Sequence, residues 1–163
     1  MTKKKLFLRI GQRVQDLKES DDGNSVVLDK VAELLRDEVE YYDWVGFYFA
    51  RQENEELELG PFAGAPTEHD RINYGEGICG QSAETGEVFT VQDVSEAENY
   101  LSCSPEVKSE IVVPVYDGRD FLGEIDIDSH RLKPFDSEDE QFLRALAEEL
   151  APFFVSDDSS QSD

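Results

Sequence analysis

Apolar residues recur at Phe7, Ile10, Val14 and Leu17, three or four apart, so the spacing predicts a helix from Lys3 to Ser20. Ser20-Asp-Asp-Gly-Asn-Ser predicts a loop. Ser25 is suited to cap a second helix that turns Val27, Val31, Leu34 and Leu35 inward as far as about Tyr41. The period then changes. Trp44 to Ala50, WVGFYFA, is dense in aromatic and β-branched residues and predicts a strand. Glu56 to Phe62 alternates Leu57 and Leu59 with acids, which suits a half-buried partner strand. The polar residues Gln52 to Glu55 join the two as a hairpin.

After a loop from Gly64 to Asp70, Arg71 to Tyr74 predicts a short strand. A glycine-rich turn leads into a short helix, about Ile78 to Glu84, ended by Gly86. Val88 to Val91 predicts another short strand. Val94 to Ser109 is polar and without period, a mixture of loop and short helix; loops of this length are usually functional or disordered. Ile111 to Tyr116 and Phe121 to Ile127 predict two strands, joined through the turn signal Asp117-Gly118. Asp136 to Val155 reads as a helix with Phe142, Leu143, Leu146 and Leu150 on one face. The expected architecture is a single α+β domain over residues 1–155, its sheet mostly antiparallel with helices packed on one face. Residues 156–163 form an acidic tail expected to be disordered.

The 163 residues suffice for one core, and 39% hydrophobic content fits a globular chain. No apolar run approaches the roughly 20 residues of a membrane span. The start, MTKKKLFLRIGQRVQ, is interrupted at Arg9 and makes a poor signal peptide, so a cytoplasmic location is expected. Acids outnumber bases 38 to 15, a net charge of −23. Such a surface repels nucleic acid and anionic membranes, which excludes both as partners. The acidic excess is read as the solubility device of a salt-loving organism, with an acidic protein of an ordinary cell as the alternative. Most of these carboxylates are then a solvated face.

Two cysteines do not make a disulfide scaffold. They leave inert buried thiols, one reactive thiol, or a working pair. Cys103 lies in Ser-Cys-Ser-Pro. With Ser104 as cap and Pro105 first in a helix, the helix dipole would favour a thiolate, while Glu106 and Glu110 oppose it. Cys79 lies beside Gly80, which leaves room for a second sulfur. Two thiols on separate segments suit a sulfenic acid that condenses to a disulfide; a small core residue at Cys79 fits the pattern equally.

Asp126 and Asp128 sit two apart in GEIDIDS, on the side of the strand opposite Ile125 and Ile127, and Glu110 opens EIVVPV. Exposed, these acids are unremarkable; facing a pocket, they would bind an ammonium group or share a proton. Trp44 and Tyr48 share a side of their strand, as core or as the apolar wall of a pocket. Gly75, Gly77 and Gly80 match the dinucleotide pattern, but HDRINY is too polar for the strand it needs, and Gly86 interrupts the helix. The histidines, His69 and His130, lack the spacing of a Cys2His2 site. Neither a metal nor a cofactor is expected.

Together, WVGFY, LGPFAGAP, GEGICG, VQDV, LSCSPEVKSEIVVPV, LGEIDIDS and FDSEDEQFL resemble the GAF-domain free methionine-R-sulfoxide reductases, in order from about Trp44 to Leu150. The resemblance implies a GAF fold and free methionine-R-sulfoxide as substrate. It implies Cys103 as the attacking thiolate and Cys79 as the resolving thiol, with a thioredoxin-like reductant restoring both. Glu110, Asp126 and Asp128 would hold the substrate ammonium and polarise or protonate the sulfoxide oxygen. Trp44 and Tyr48 would pack on the S-methyl group. GAF-like domains often dimerise, so a homodimer is an open partner. The chain departs from the family at His69, where members often carry a third cysteine. A non-catalytic GAF ligand-binding or thiol redox-sensing module is the alternative.

Overall fold

The computed structural model describes residues 1–98, 100 and 104–155. Cys103 and the expected disordered tail lie outside the described residues. Helix α1, Lys3–Lys18, starts where the Thr2 hydroxyl accepts from the Lys5 amide at 3.2 Å, satisfying one donor of the first turn. Helix α2, Asn24–Glu38, starts from Gly23 without a side-chain cap, so Ser25 lies inside its first turn rather than at its cap. It stops short of Tyr41 because Val39 has left the helical region (φ −106°, ψ 106°).

Six strands follow: β1 Trp44–Arg51, β2 Glu56–Ala63, β3 Arg71–Asn73, β4 Phe89–Val91, β5 Ser109–Asp117 and β6 Asp120–Ser129. They form one antiparallel sheet in the order β3-β2-β1-β6-β5-β4. The β5–β6 hairpin turns at Gly118, whose φ of +61° penalises any residue with a Cβ. Pairing of β1 with β6 closes the centre of the sheet, with Trp44 opposite Asp128 and Gly46 opposite Asp126.

Helices lie on both faces, which corrects the expectation of one. Helices α1, α2 and α4, Ser137–Leu150, pack on the face carrying Val45, Phe47, Ile111, Val113, Ile125 and Ile127. Helix α3, Gly77–Thr85, covers the opposite face, where Tyr48, Leu57 and Val112 meet Ile78 and Cys79. The physical sign of this double cover is that β5 is buried at seven consecutive residues, Ser109 to Val115, on both sides of its pleat.

The N-terminus of α4 is tied to the rest by the buried carboxylate of Asp139. It accepts from the Tyr41 and Tyr42 hydroxyls and from the Lys3 ammonium, each at 2.7 Å. Burial by itself would lower the Lys3 ammonium, but its hydrogen bonds to Asp139, Tyr41 and Asp136 outweigh that and hold it above its usual range.

Candidate active site

Strand β6 alternates strictly through its buried half. Ile125 and Ile127 enter the core under the three long helices, and this sends Glu124, Asp126 and Asp128 to the face covered by α3. All three are closed to solvent, at 0%, 1% and 1% exposure, and Glu110 on β5 is 5% exposed. These carboxyls are therefore not part of a solvated face.

Cys79 is brought to them by the turn before α3. Gly75 and Gly77 take positive φ (+92° and +63°), and the Gly75 amide donates to the Gly80 carbonyl at 2.8 Å. At Gly80 a Cβ would sit 2.5 Å from the Asn73 carbonyl oxygen. The glycines thus serve a close backbone approach that presses Cys79, 4% exposed, onto the sheet.

The Cys79 thiol lies 3.9 Å from Glu110 Oε2. Cys79, Glu110 and Asp126 each bring one ligand-type atom within 4.8 Å of the others, a spacing that a small cation can bridge. This group joins a thiol with carboxylates, not the histidines that a Cys2His2 site would need. Around them is a narrow hollow of about 10 Å³, lined by Tyr48, His69, Glu76, Cys79, Glu110 and Asp126 among others. A wider cleft of about 540 Å³ opens elsewhere, beside Glu87, Tyr116, Arg144 and Glu148, and none of the sequence-predicted site residues lines it.

Crowding and burial of these acids shape their protonation. Burial pushes Glu124 well above the usual carboxylate range, and the neighbouring charge of Asp126 adds to it. Burial likewise raises Asp126, against hydrogen bonds with Glu110 and Cys79 that favour its ionised form. Asp128 rises by burial and then by the charge of Asp126. The Cys79 thiol is raised by burial, then by Asp126, Glu124, Glu110 and Asp128 in turn. Both oxygens of Glu124 and of Asp128, and Oδ1 of Asp126, lack a well-formed hydrogen bond among the described residues. Such a cluster can give a proton to a bound oxygen, and when ionised it can hold an ammonium group.

The structure brings together Cys79, Tyr48, Glu110 and Asp126 of the sequence-predicted residues. Asp128 stands on the same face but does not line the hollow. Trp44 belongs to the same apolar cluster yet lies outside the lining. Its ring stacks on Phe62 at 5.5 Å, and its indole N–H donates to the Ala65 carbonyl at 2.9 Å. Cys103 lies outside the described residues. The helix expected at Pro105 is absent: Pro105 and Glu106 form a turn, with the Glu106 amide donating to the Ser104 hydroxyl at 3.3 Å. That bond would suit a helix start, but the turn does not continue: the Val107 amide bonds the Ser104 carbonyl at 3.2 Å and the Lys108 amide goes to the Ser129 carbonyl at 2.8 Å, so no helix dipole acts at that point. Sequence reasoning missed Glu124, although the same period-two alternation that picked out Asp126 and Asp128 includes it.

The family model for the GAF domain matches residues 25–152. The free methionine-R-sulfoxide reductase of Escherichia coli is 30% identical over 158 residues, covering 97% of this chain and 94% of its own. The enzyme of the same description from Saccharomyces cerevisiae is 43% identical over 108 residues, 64% of this chain and 59% of that protein's length. Among solved structures, the free methionine-R-sulfoxide reductase of Neisseria meningitidis in complex with its substrate superposes with a TM-score of 0.82 at 32% identity, covering 94% and 89% of the two chains.

Proposed function

Because this chain belongs to the GAF-domain family of free methionine-R-sulfoxide reductases, we propose that it reduces free methionine-R-sulfoxide to methionine through a cycle of its two cysteines. The observation that carries this reading is the placement of the Cys79 thiol among Glu110 and Asp126 at a buried hollow. A free amino acid presents an ammonium group that a buried carboxylate recognises; a residue inside a protein does not. A sulfoxide is a poor electrophile until its oxygen is protonated or hydrogen-bonded, and an acid kept neutral by burial supplies that proton.

In the proposed cycle the Cys103 thiolate attacks the sulfoxide sulfur, and the oxygen, protonated by the acid cluster, passes to Cys103. Substrate sulfur gains two electrons, Cys103 becomes a sulfenic acid, and methionine leaves. The Cys79 thiol then displaces that hydroxyl, forming a disulfide and releasing water. A thioredoxin-like dithiol reopens the disulfide by exchange. Glu110 and Asp126 bind the ammonium and polarise the oxygen, Asp128 holds the charge balance between them, and Tyr48 and Trp44 supply the apolar side. Tyr100, three positions before Cys103 in the sequence, packs on the apolar cluster containing Cys79.

The test is turnover of the free R-sulfoxide with dithiothreitol or a thioredoxin system, set beside the S-epimer and a peptide-bound sulfoxide. Only the free R-form should be consumed, and Cys103→Ser should release no methionine. A protein that leaves the free R-sulfoxide untouched under reductant refutes the proposal.

A further inference from the structure

Cys79, Glu110 and Asp126 come from three separate elements, α3, β5 and β6, and each is at most 5% exposed. One sulfur and two carboxylate oxygens from them lie within 4.8 Å of one another. A tetrahedral zinc-type ion, with metal–sulfur bonds of about 2.3 Å and metal–oxygen bonds of about 2.0–2.2 Å, sets its sulfur and oxygen ligands about 3.6 Å apart. Cys79 Sγ and Glu110 Oε2 stand at 3.9 Å, so about 0.3 Å of side-chain movement closes the difference. A second observation is independent of this spacing. Asp126 lines the hollow, is 1% exposed, and its Oδ1 has no hydrogen-bond partner among the described residues. A buried carboxylate oxygen in that condition is costly unless something binds it. The hollow, about 10 Å³, has about the volume of one water-sized sphere. A single ion fits it as it stands, whereas an amino acid enters only by widening it.

We propose that Cys79, Glu110 and Asp126 form a binding site for one soft divalent cation of the zinc and cadmium class. The donors select the metal. Magnesium and calcium are hard ions that prefer six or more oxygens. A thiolate with two carboxylates suits zinc or cadmium, and three protein ligands leave the fourth tetrahedral position to water. On binding, a sulfur–metal bond forms and the thiol proton leaves to solvent; no electrons are exchanged. The cation also brings positive charge to a face of β6 on which Glu124 and Asp128 are buried beside the ligands. The site stands without the reductase reading. Where that reading holds, the metal takes the thiol and the two acids that the cycle uses, so a bound ion stops turnover.

The experiment is a cadmium titration of the reduced full chain, freed of added thiol, read by the ultraviolet charge-transfer band of a cadmium–thiolate bond. One equivalent should bind; zinc should displace it, and a large excess of magnesium should not. The band should be lost in Cys79→Ser and kept in Cys103→Ser. Asp126→Asn, which keeps the shape of the side chain, should weaken binding by at least about tenfold, since even a partner outside the ligand set is worth that much. Circular dichroism checks that each variant is folded, and Glu110→Gln gives the same readout if Asp126→Asn is not. A band kept in Cys79→Ser or lost in Cys103→Ser places the metal elsewhere and overturns the proposal. Equal affinity in the carboxamide variants overturns it too, as does uptake of several ions without a thiolate band, which marks adsorption on the acidic surface. In a single turnover without external thiol, saturating zinc should stop methionine release and a chelator should restore it; unimpaired release with zinc bound overturns the assignment of these ligands. If the metal-free chain releases no methionine while the cadmium site behaves as stated, the reductase reading falls and the metal site stands.

Discussion

Glu124→Leu should make the protein more stable at neutral pH and flatten its pH dependence. The sign follows from linkage. Burial raises the folded-state carboxyl of Glu124 well above its ordinary value of 4.5. Below that value both folded and unfolded chains carry the proton, and the residue adds no pH dependence. Above it the unfolded chain ionises while the folded one holds its proton, so the native state binds one proton more and stability falls as pH rises, until the raised folded value is passed. Each pH unit in that window costs about 1.4 kcal/mol per proton. From about pH 5 upward the wild type should therefore lose stability relative to the leucine variant for as long as the folded Glu124 keeps its proton. Repulsion within the acidic surface acts in both chains and largely cancels in the comparison. The assay is urea unfolding of both proteins across this range, with m unchanged so that midpoints report stability. Parallel pH curves for the two proteins would refute the claim that Glu124 is a buried, uncompensated acid.

Three further outcomes are expected. Asp139→Asn should cost about 1–3 kcal/mol in denaturant unfolding, since it leaves Lys3 with only the more exposed Asp136 carboxylate and the two tyrosine hydroxyls with one neutral acceptor. Gly80→Ala should destabilise by about 1–3 kcal/mol and lower turnover together, because its Cβ can enter only by moving the Asn73 carbonyl and the turn that presents Cys79; an unchanged midpoint and rate would contradict this. Glu110→Gln should raise KM for the free sulfoxide by about tenfold or more, the loss of one charged hydrogen bond, with a smaller effect on kcat.

Legibility in the sequence varied from residue to residue. Period-two spacing in GEIDIDS places Asp126 and Asp128 on one side of β6, and Asp117-Gly118 marks the turn that registers β5 with β6. Both are local properties of a strand, decided by sterics and backbone geometry. The same local reasoning failed at Pro105. There the cap and the proline are both competent for a helix start, but the Lys108 amide is taken by the Ser129 carbonyl of β6, a long-range bond that stops the turn after one bond.

By itself the amino-acid order determined the succession of helices and strands, the antiparallel hairpins, the face of β6 on which its acids stand, and the family whose motifs it matches. Only the tertiary structure decided what lies over that face. In a chain with 38 acids, a carboxylate toward solvent and one toward a pocket read alike along the strand. Glycines at 75, 77 and 80 let α3 settle on the sheet and close water out, and this turns Glu110, Glu124, Asp126 and Asp128 from surface charge into buried acids beside a thiol. Burial is a property of which segments meet across the sheet, and ionisation follows burial, so the chemistry of these residues appears only once the chain has folded.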